Sequence, residues 1–178
     1  LDMVSMAWDK PRPLPDLKAA SFPTPTYVYN IMNQDHHADP QADLVIIIPT
    51  SQKLLKQAQR LKAFHEQHDS LKVNLVPADE LFNEFSSGTP DASAYRRYMK
   101  MLYDRATGED DRPKYLLLFG DCLWDNRMIT SYNTGKNPDD YLLAFESENS
   151  YDRRVCYIDD SFHAMLDDGE GLRPMYVD

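Results

Sequence analysis

Lys114-Tyr115-Leu116-Leu117-Leu118-Phe119-Gly120-Asp121 is an unbroken apolar run that stops at a glycine and then presents a carboxylate. Without polar alternation such a run reads as a strand buried on both faces, and strands of that kind belong to parallel sheets covered by helices. Open parallel sheets place their chemistry just beyond the carboxyl ends of their strands, which makes Asp121 the first candidate site residue. The evenly weighted alternative is a loop aspartate that only accepts backbone hydrogen bonds after a strand.

Upstream of this run, Leu44-Val45-Ile46-Ile47-Ile48 is a second buried strand, ended by Pro49, with Thr50 or Ser51 placed to cap a following helix. In that helix Leu54, Leu55, Ala58, Leu61 and His65 recur at helical spacing. The short segment 71–76 alternates and stops at Pro77, as an outer strand does. A turn of helix is expected around Glu80-Leu81-Phe82. Thr89-Pro90 then gives an N-cap and a proline at the first helical position, leading Tyr95, Tyr98, Met99, Leu102 and Ala106 along one face. Strand, helix, strand, helix, strand means two right-handed parallel crossovers. The fold class is therefore α/β, a three-layer sandwich with a parallel sheet, in the spatial order second-first-third strand. Strands 44–48 and 115–119 are expected to be central, with 71–76 outside them.

The flanks differ in character. Residues 1–42 carry Pro11, Pro13, Pro15, Pro23, Pro25 and Pro40 and read as an extended arm or linker, with the ordered α/β part running from 43 to 178. The doublet His36-His37 between Asp35 and Asp39 suggests a metal site. Neighbouring residues of an extended segment point to opposite sides, so a solvated loop is the expectation. After Asp121 a long irregular excursion, rich in Asn, Gly, Pro and Asp, lasts to residue 140 and is of the functional or docked kind. Short β segments follow at 141–145 and 154–157, then an acidic tract. Asp121, Asp125, Asp159 and Asp160 fall at strand ends or in the loops after them. Gathered on one rim, they would form a candidate Ca²⁺ site, although no EF-hand spacing is present.

Other chemistries are thinner. No glycine-rich phosphate motif follows either strand. Cys122 and Cys156 make no Cys-x-x-Cys pair and are read as two free thiols, a single bridge between them staying open. Nothing in the spacing joins Cys122 to His163 as a thiolate–imidazole pair, and acidic neighbours would raise a thiol pKa. The net charge of −10 argues against a nucleic-acid partner, which requires a basic face. No apolar stretch approaches the ~20 residues of a membrane span. Leu1–Pro15 has the shape of no signal peptide, and a chain without an initiating Met reads as a piece of something larger.

Several blocks carry a resemblance: Phe85-Ser86-Ser87-Gly88-Thr89-Pro90-Asp91-Ala92; Tyr115 to Asp121 with Asp125-Asn126-Arg127; Glu146-Ser147-Glu148-Asn149-Ser150; and Asp159-Asp160-Ser161-Phe162 with Leu166-Asp167-Asp168. Together they resemble the first half of a gingipain-type cysteine peptidase domain, in its PorU-like sortase branch of the type IX secretion system. The resemblance implies a caspase-like α/β fold and a Cys-His dyad in which a thiolate attacks the scissile carbonyl and the histidine moves protons. It also implies processing of the C-terminal sorting domains of secreted polypeptides, contact with secretion-system components, and a place on the cell surface or outer membrane of a Bacteroidetes-type bacterium. No cofactor is implied as a requirement. In the family the histidine sits in a His-Gly pair after a later strand; none occurs here, so the dyad is expected to lie outside these residues. Where relatives have glycine this chain has Cys122 and His163, and neither is assigned to the dyad. Asp178 is the one candidate catalytic residue, as the acid that supports the histidine. The reading of a different class is a non-catalytic, flavodoxin-like binding module acting through residues 122–140.

Overall fold

A computed structural model describes residues 33–146 and 157–170, with single positions at 18, 24 and 27. The chain divides into two units, Leu1–Asn33 and Gln34–Asp178, and the described strands and helices all fall in the second.

Three parallel strands form the sheet: β1 (Leu44–Ile48), β2 (Val73–Pro77) and β3 (Tyr115–Leu118), in the order β2-β1-β3. Leu44 faces Val73 on one side and Tyr115 on the other. Because strand side chains alternate between faces, β1 feeds two cores. Leu44, Ile46 and Ile48 pack with Ala58, Leu55 and Leu61 of α1 (Leu55–His68). Val45 and Ile47 pack with Leu81 and Phe82 of α2 (Ala78–Phe85) and with Tyr95, Tyr98 and Leu102 of α3 (Ser93–Asp104). Helices therefore cover both faces, and the three-layer α/β architecture and its strand order agree with the sequence reading.

Several local expectations are corrected. β1 alone is central and fully buried, whereas β3 has a partner on one side only among the described residues. Its apolar run is consequently half-buried, with Tyr115 57% exposed, rather than buried on both faces. Neither Thr50 nor Ser51 caps α1. A backbone turn does the work, Gln52 N–H donating to the Pro49 carbonyl (2.9 Å) and Leu55 N–H to the Gln52 carbonyl (3.0 Å), with Gln52 in the left-handed region at φ 54°. α2 is a two-turn helix starting directly after Pro77. α3 begins later than Thr89-Pro90, at Ser93 after Ala92, where the Asp91 carboxylate accepts from Ser93 N–H (2.9 Å) and Ser93 Oγ (2.7 Å). Residues 141–145 make no strand; Cys122–Leu142 (parallel) and Glu146–Ile158 (antiparallel) are single bridges. Residues 154–156 lie outside those described.

Gly120 closes the exit of β3. A Cβ there would stand 2.8 Å from Pro49 Cγ and 3.2 Å from Leu142 Cδ1. The glycine thus lets the ends of β1 and β3 and the returning chain at Leu142 meet in one tight layer.

Candidate functional site

The carboxyl ends of the strands carry the irregular excursion after Gly120, and its anchoring is specific. Ser51 N–H donates to the Asp139 carbonyl (2.8 Å), and Lys53 Nζ pairs with Asp140 Oδ2 (2.6 Å), fixing the loop to the exit of β1. Leu142 N–H donates to the Asp121 carbonyl (2.9 Å). Asn126 acts as a one-residue strand: its Oδ1 accepts from Ala144 N–H (2.9 Å), and its Nδ2 donates to the Ala144 carbonyl (2.8 Å) and Glu146 Oε1 (2.9 Å).

Asp125 is the knot of this loop. Its carboxylate accepts from Thr130 N–H (2.8 Å), Thr130 Oγ1 (2.8 Å), Asn133 Nδ2 (2.9 Å) and Ile129 N–H (3.1 Å). These donors, led by the Thr130 N–H, stabilise the anion and hold its pKa down to about 2. Asp121 bonds the N–H of its own neighbour, Cys122 (2.9 Å), which is the backbone-capping role. Asp159 caps the short 3₁₀ turn Asp160–Ala164 by accepting from Ser161 N–H (2.8 Å). Asp160 opens that turn and faces Cys122 and His163 electrostatically. Of Asp121, Asp125, Asp159 and Asp160, no three bring ligand atoms within 4.8 Å of one another. Asp178 and Cys156 lie outside the described residues.

Between the turn before α3, the 124–129 loop and residues 143–146 opens a cleft of about 490 Å³. Trp124 (57% exposed) and Ile129 (77% exposed) flank it, with Asp91, Asp125, Arg127 and Glu146 as its charged members. Burial and the nearby Asp125 charge push the Glu146 carboxyl up. Three carboxylates against the one guanidinium of Arg127 make this apolar trough a poor place for a phosphate.

Cys122 carries a free, exposed thiol. Partial desolvation and then the Asp160 and Asp121 charges push its pKa up, the reverse of an activated thiolate. His163 is 1% exposed, and neither ring nitrogen has a hydrogen-bond partner among the described residues. Desolvation brings its pKa down to about 4, so it is a neutral packing residue against Tyr95 and Phe162.

The structure gives the histidine doublet a different place from the solvated loop expected of it. His36–Ala38 is a 3₁₀ turn docked on α2. His36 Nδ1 meets Asp39 Oδ2 and its Nε2 meets Glu80 Oε2, each at 2.8 Å. Burial works against the charge on His36, but the two carboxylates raise its pKa. His37 Nδ1 lies 2.7 Å from Glu84 Oε2. Partial burial opposes the Glu84 anion too, yet the His36 N–H, Gln34 Nε2 and His37 bring it down to about 2. Glu84 and Arg96, a 3%-exposed residue whose Nε holds the Met165 carbonyl at 2.9 Å, were not singled out by the sequence, and Glu80 and Asn126 were named there without a role in binding.

With this geometry in view, the family model "Peptidase family C25" matches residues 37–177. The chain belongs to peptidase family C25. This C25 chain is also similar to a solved structure, "dimeric latent PorU from Porphyromonas gingivalis", at 37% identity and a TM-score of 0.67. The match covers 77% of this chain and 13% of the PorU chain, so the C25 chain spans a small part of that relative. No curated protein matches it. No helix among the described residues is long and apolar enough to cross a membrane.

Proposed function

We propose that residues 43–178 form the N-terminal α/β subdomain of a secreted, gingipain-like cysteine peptidase or sortase that processes C-terminal sorting signals of secreted proteins, with its Cys-His dyad supplied by residues outside this chain. The observation that carries the reading is the C25 match over 37–177. The likeness to PorU supports the sortase branch, and with it a cell-surface or outer-membrane location in a Bacteroidetes-type bacterium and contact with secretion-system components.

The chemistry of the rim agrees. An acyl-transferring thiolate needs a neighbouring imidazolium to lower its pKa. Cys122 instead faces two carboxylates, and His163 is buried and neutral. What this half contributes is a scaffold: the half-exposed apolar edge of β3 accepts a further strand, and the Trp124 cleft lies at the strand ends, where a polypeptide would approach. In the proposed reaction the dyad thiolate attacks the scissile carbonyl, the leaving amine takes the histidine's proton, and the thioester is resolved by water or by a surface lipopolysaccharide acceptor. Asp178 keeps the role of the acid that orients the imidazole. The cleft also favours a second reading, a non-catalytic module that binds polypeptide through residues 122–140.

The test pairs two proteins. The longer protein carrying Cys122→Ala should trim a reporter with a C-terminal sorting domain at the wild-type rate, while the 178-residue chain alone should give no turnover. Turnover by the isolated chain that disappears in Cys122→Ala would overturn the assignment of the dyad elsewhere. Absence of trimming by the intact wild-type protein would leave the binding module as the better reading.

A further inference from the structure

We propose that Asp35, His37 and Glu84 bind a first-row divalent metal ion of the Zn²⁺ type, which clasps the segment entering the α/β unit onto α2. Each of the three offers a donor atom, and these atoms all lie within 4.8 Å of one another. Four-coordinate zinc with legs of roughly 2.0–2.2 Å separates its ligands by roughly 3.3 Å. His37 Nδ1 and Glu84 Oε2, now 2.7 Å apart, would open by less than 1 Å, and Asp35 would draw in.

Three features go beyond a simple histidine–glutamate ion pair. First, the ligands are held from behind. Glu84 Oε1 is fixed by His36 N–H and Gln34 Nε2, both at 2.8 Å, which turns Oε2 toward His37. The His37 ring stacks on Phe85 with centroids 4.5 Å apart and planes at 17°. Such outer contacts orient ligands in metal sites. Second, Asp35 flanks the His36–Ala38 turn but does not cap it, and among the described residues its carboxylate has no hydrogen-bond partner. It stands beside the like-charged Glu84. Third, His37 is 58% exposed in its side chain, leaving room for a water as fourth ligand.

One imidazole and two carboxylates suit zinc or manganese better than Ca²⁺, which takes oxygen ligands only. Metal ligands must be deprotonated, so binding weakens as pH falls. The ion would bridge residues 35 and 37 to residue 84, adding a coordinate link to the hydrogen bonds, ion pairs and ring stack that already join the two elements.

Thermal melts of the chain with ZnCl₂ and with EDTA test this. Zinc at about 100 times its Kd should raise Tm by roughly 5–10 °C, reversibly. Asp35→Asn, which removes no hydrogen bond, and His37→Phe, which keeps the stack on Phe85, should each abolish the rise. The double variant His65→Ala/His68→Ala, which clears the half-buried His65 and the exposed His68 beside Asp69, should keep it. If His37→Phe folds poorly, the His37 imidazole resonances of the wild type should still shift on adding zinc. No rise in the wild type, an equal rise in both ligand variants, or loss of the rise in the His65/His68 variant would overturn the site.

Discussion

His163 should make this fold acid-sensitive, and the size of the effect follows from its surroundings. The ring is 1% exposed, lies against Tyr95 and Phe162, and has no hydrogen-bond partner among the described residues. Burial and the Arg96 charge disfavour the imidazolium, outweighing Asp160 and Asp159, and take the pKa from 6.5 to about 4. The folded pKa lies below the unfolded one. The stabilisation is therefore complete above about pH 6.5 and falls as the unfolded chain takes up a proton that the folded chain refuses. Linkage gives about 1.4 kcal/mol per pH unit, or about 3 kcal/mol over the whole window down to pH ~4. Against a total of 5–15 kcal/mol for ordinary domains that loss is large. Urea melts of the wild type and of His163→Leu at about pH 7.5 and about pH 4.5 isolate the effect, since all other titrating groups are common to both. The wild type should lose about 2–3 kcal/mol more than the variant. Equal losses, or a His163 ring that titrates near its ordinary value by NMR, would refute the reasoning.

Gly120→Ala should destabilise by about 1–3 kcal/mol, because the new methyl meets Pro49 and Leu142 inside contact distance; a thermal melt measures it, and an unchanged Tm would mean that the layer yields freely. Cys122 should alkylate slowly at neutral pH and faster as pH rises, and Asp160→Asn should speed the reaction by removing a charge that disfavours the thiolate. Excess Ca²⁺ should leave the melting curve unchanged, because Asp121, Asp125 and Asp159 already accept backbone N–H bonds; a rise of several degrees that Asp160→Asn removes would place a calcium ion on that rim.

The sheet was legible because its signals are local. The apolar runs at 44–48 and 115–118 and the prolines at 49 and 77 state strand and boundary within a few residues. What escaped was decided across distance. His36 and His37 look solvated until α2 brings Glu80 and Glu84 against them, 44 and 47 residues further along. α3 started at Ser93, past Thr89-Pro90, because Asp91 holds the Ser93 N–H in the turn just before it. β3 was read as interior because apolar content reveals a preference for burial, not how many neighbours arrive. Asp121, Asp125 and Asp159 lie in irregular backbone, as sequence suggested, while Asp160 opens a 3₁₀ turn. Sequence could not show that Asp125 spends its lone pairs on Ile129, Thr130 and Asn133.

The order β2-β1-β3 also sets a timetable. β1 is made first, yet it lies in the middle and is finished last, since one edge waits for Val73 and the other for Tyr115. Until the second crossover closes, Leu-Val-Ile-Ile-Ile is a five-residue segment with an unpaired edge, strong β propensity and no charge, the type that joins its own copies in a nascent chain. The sharp punctuation on either side of it, Asp43 before and Pro49 after, then serves a second purpose: each limits how far a stray strand could extend along it.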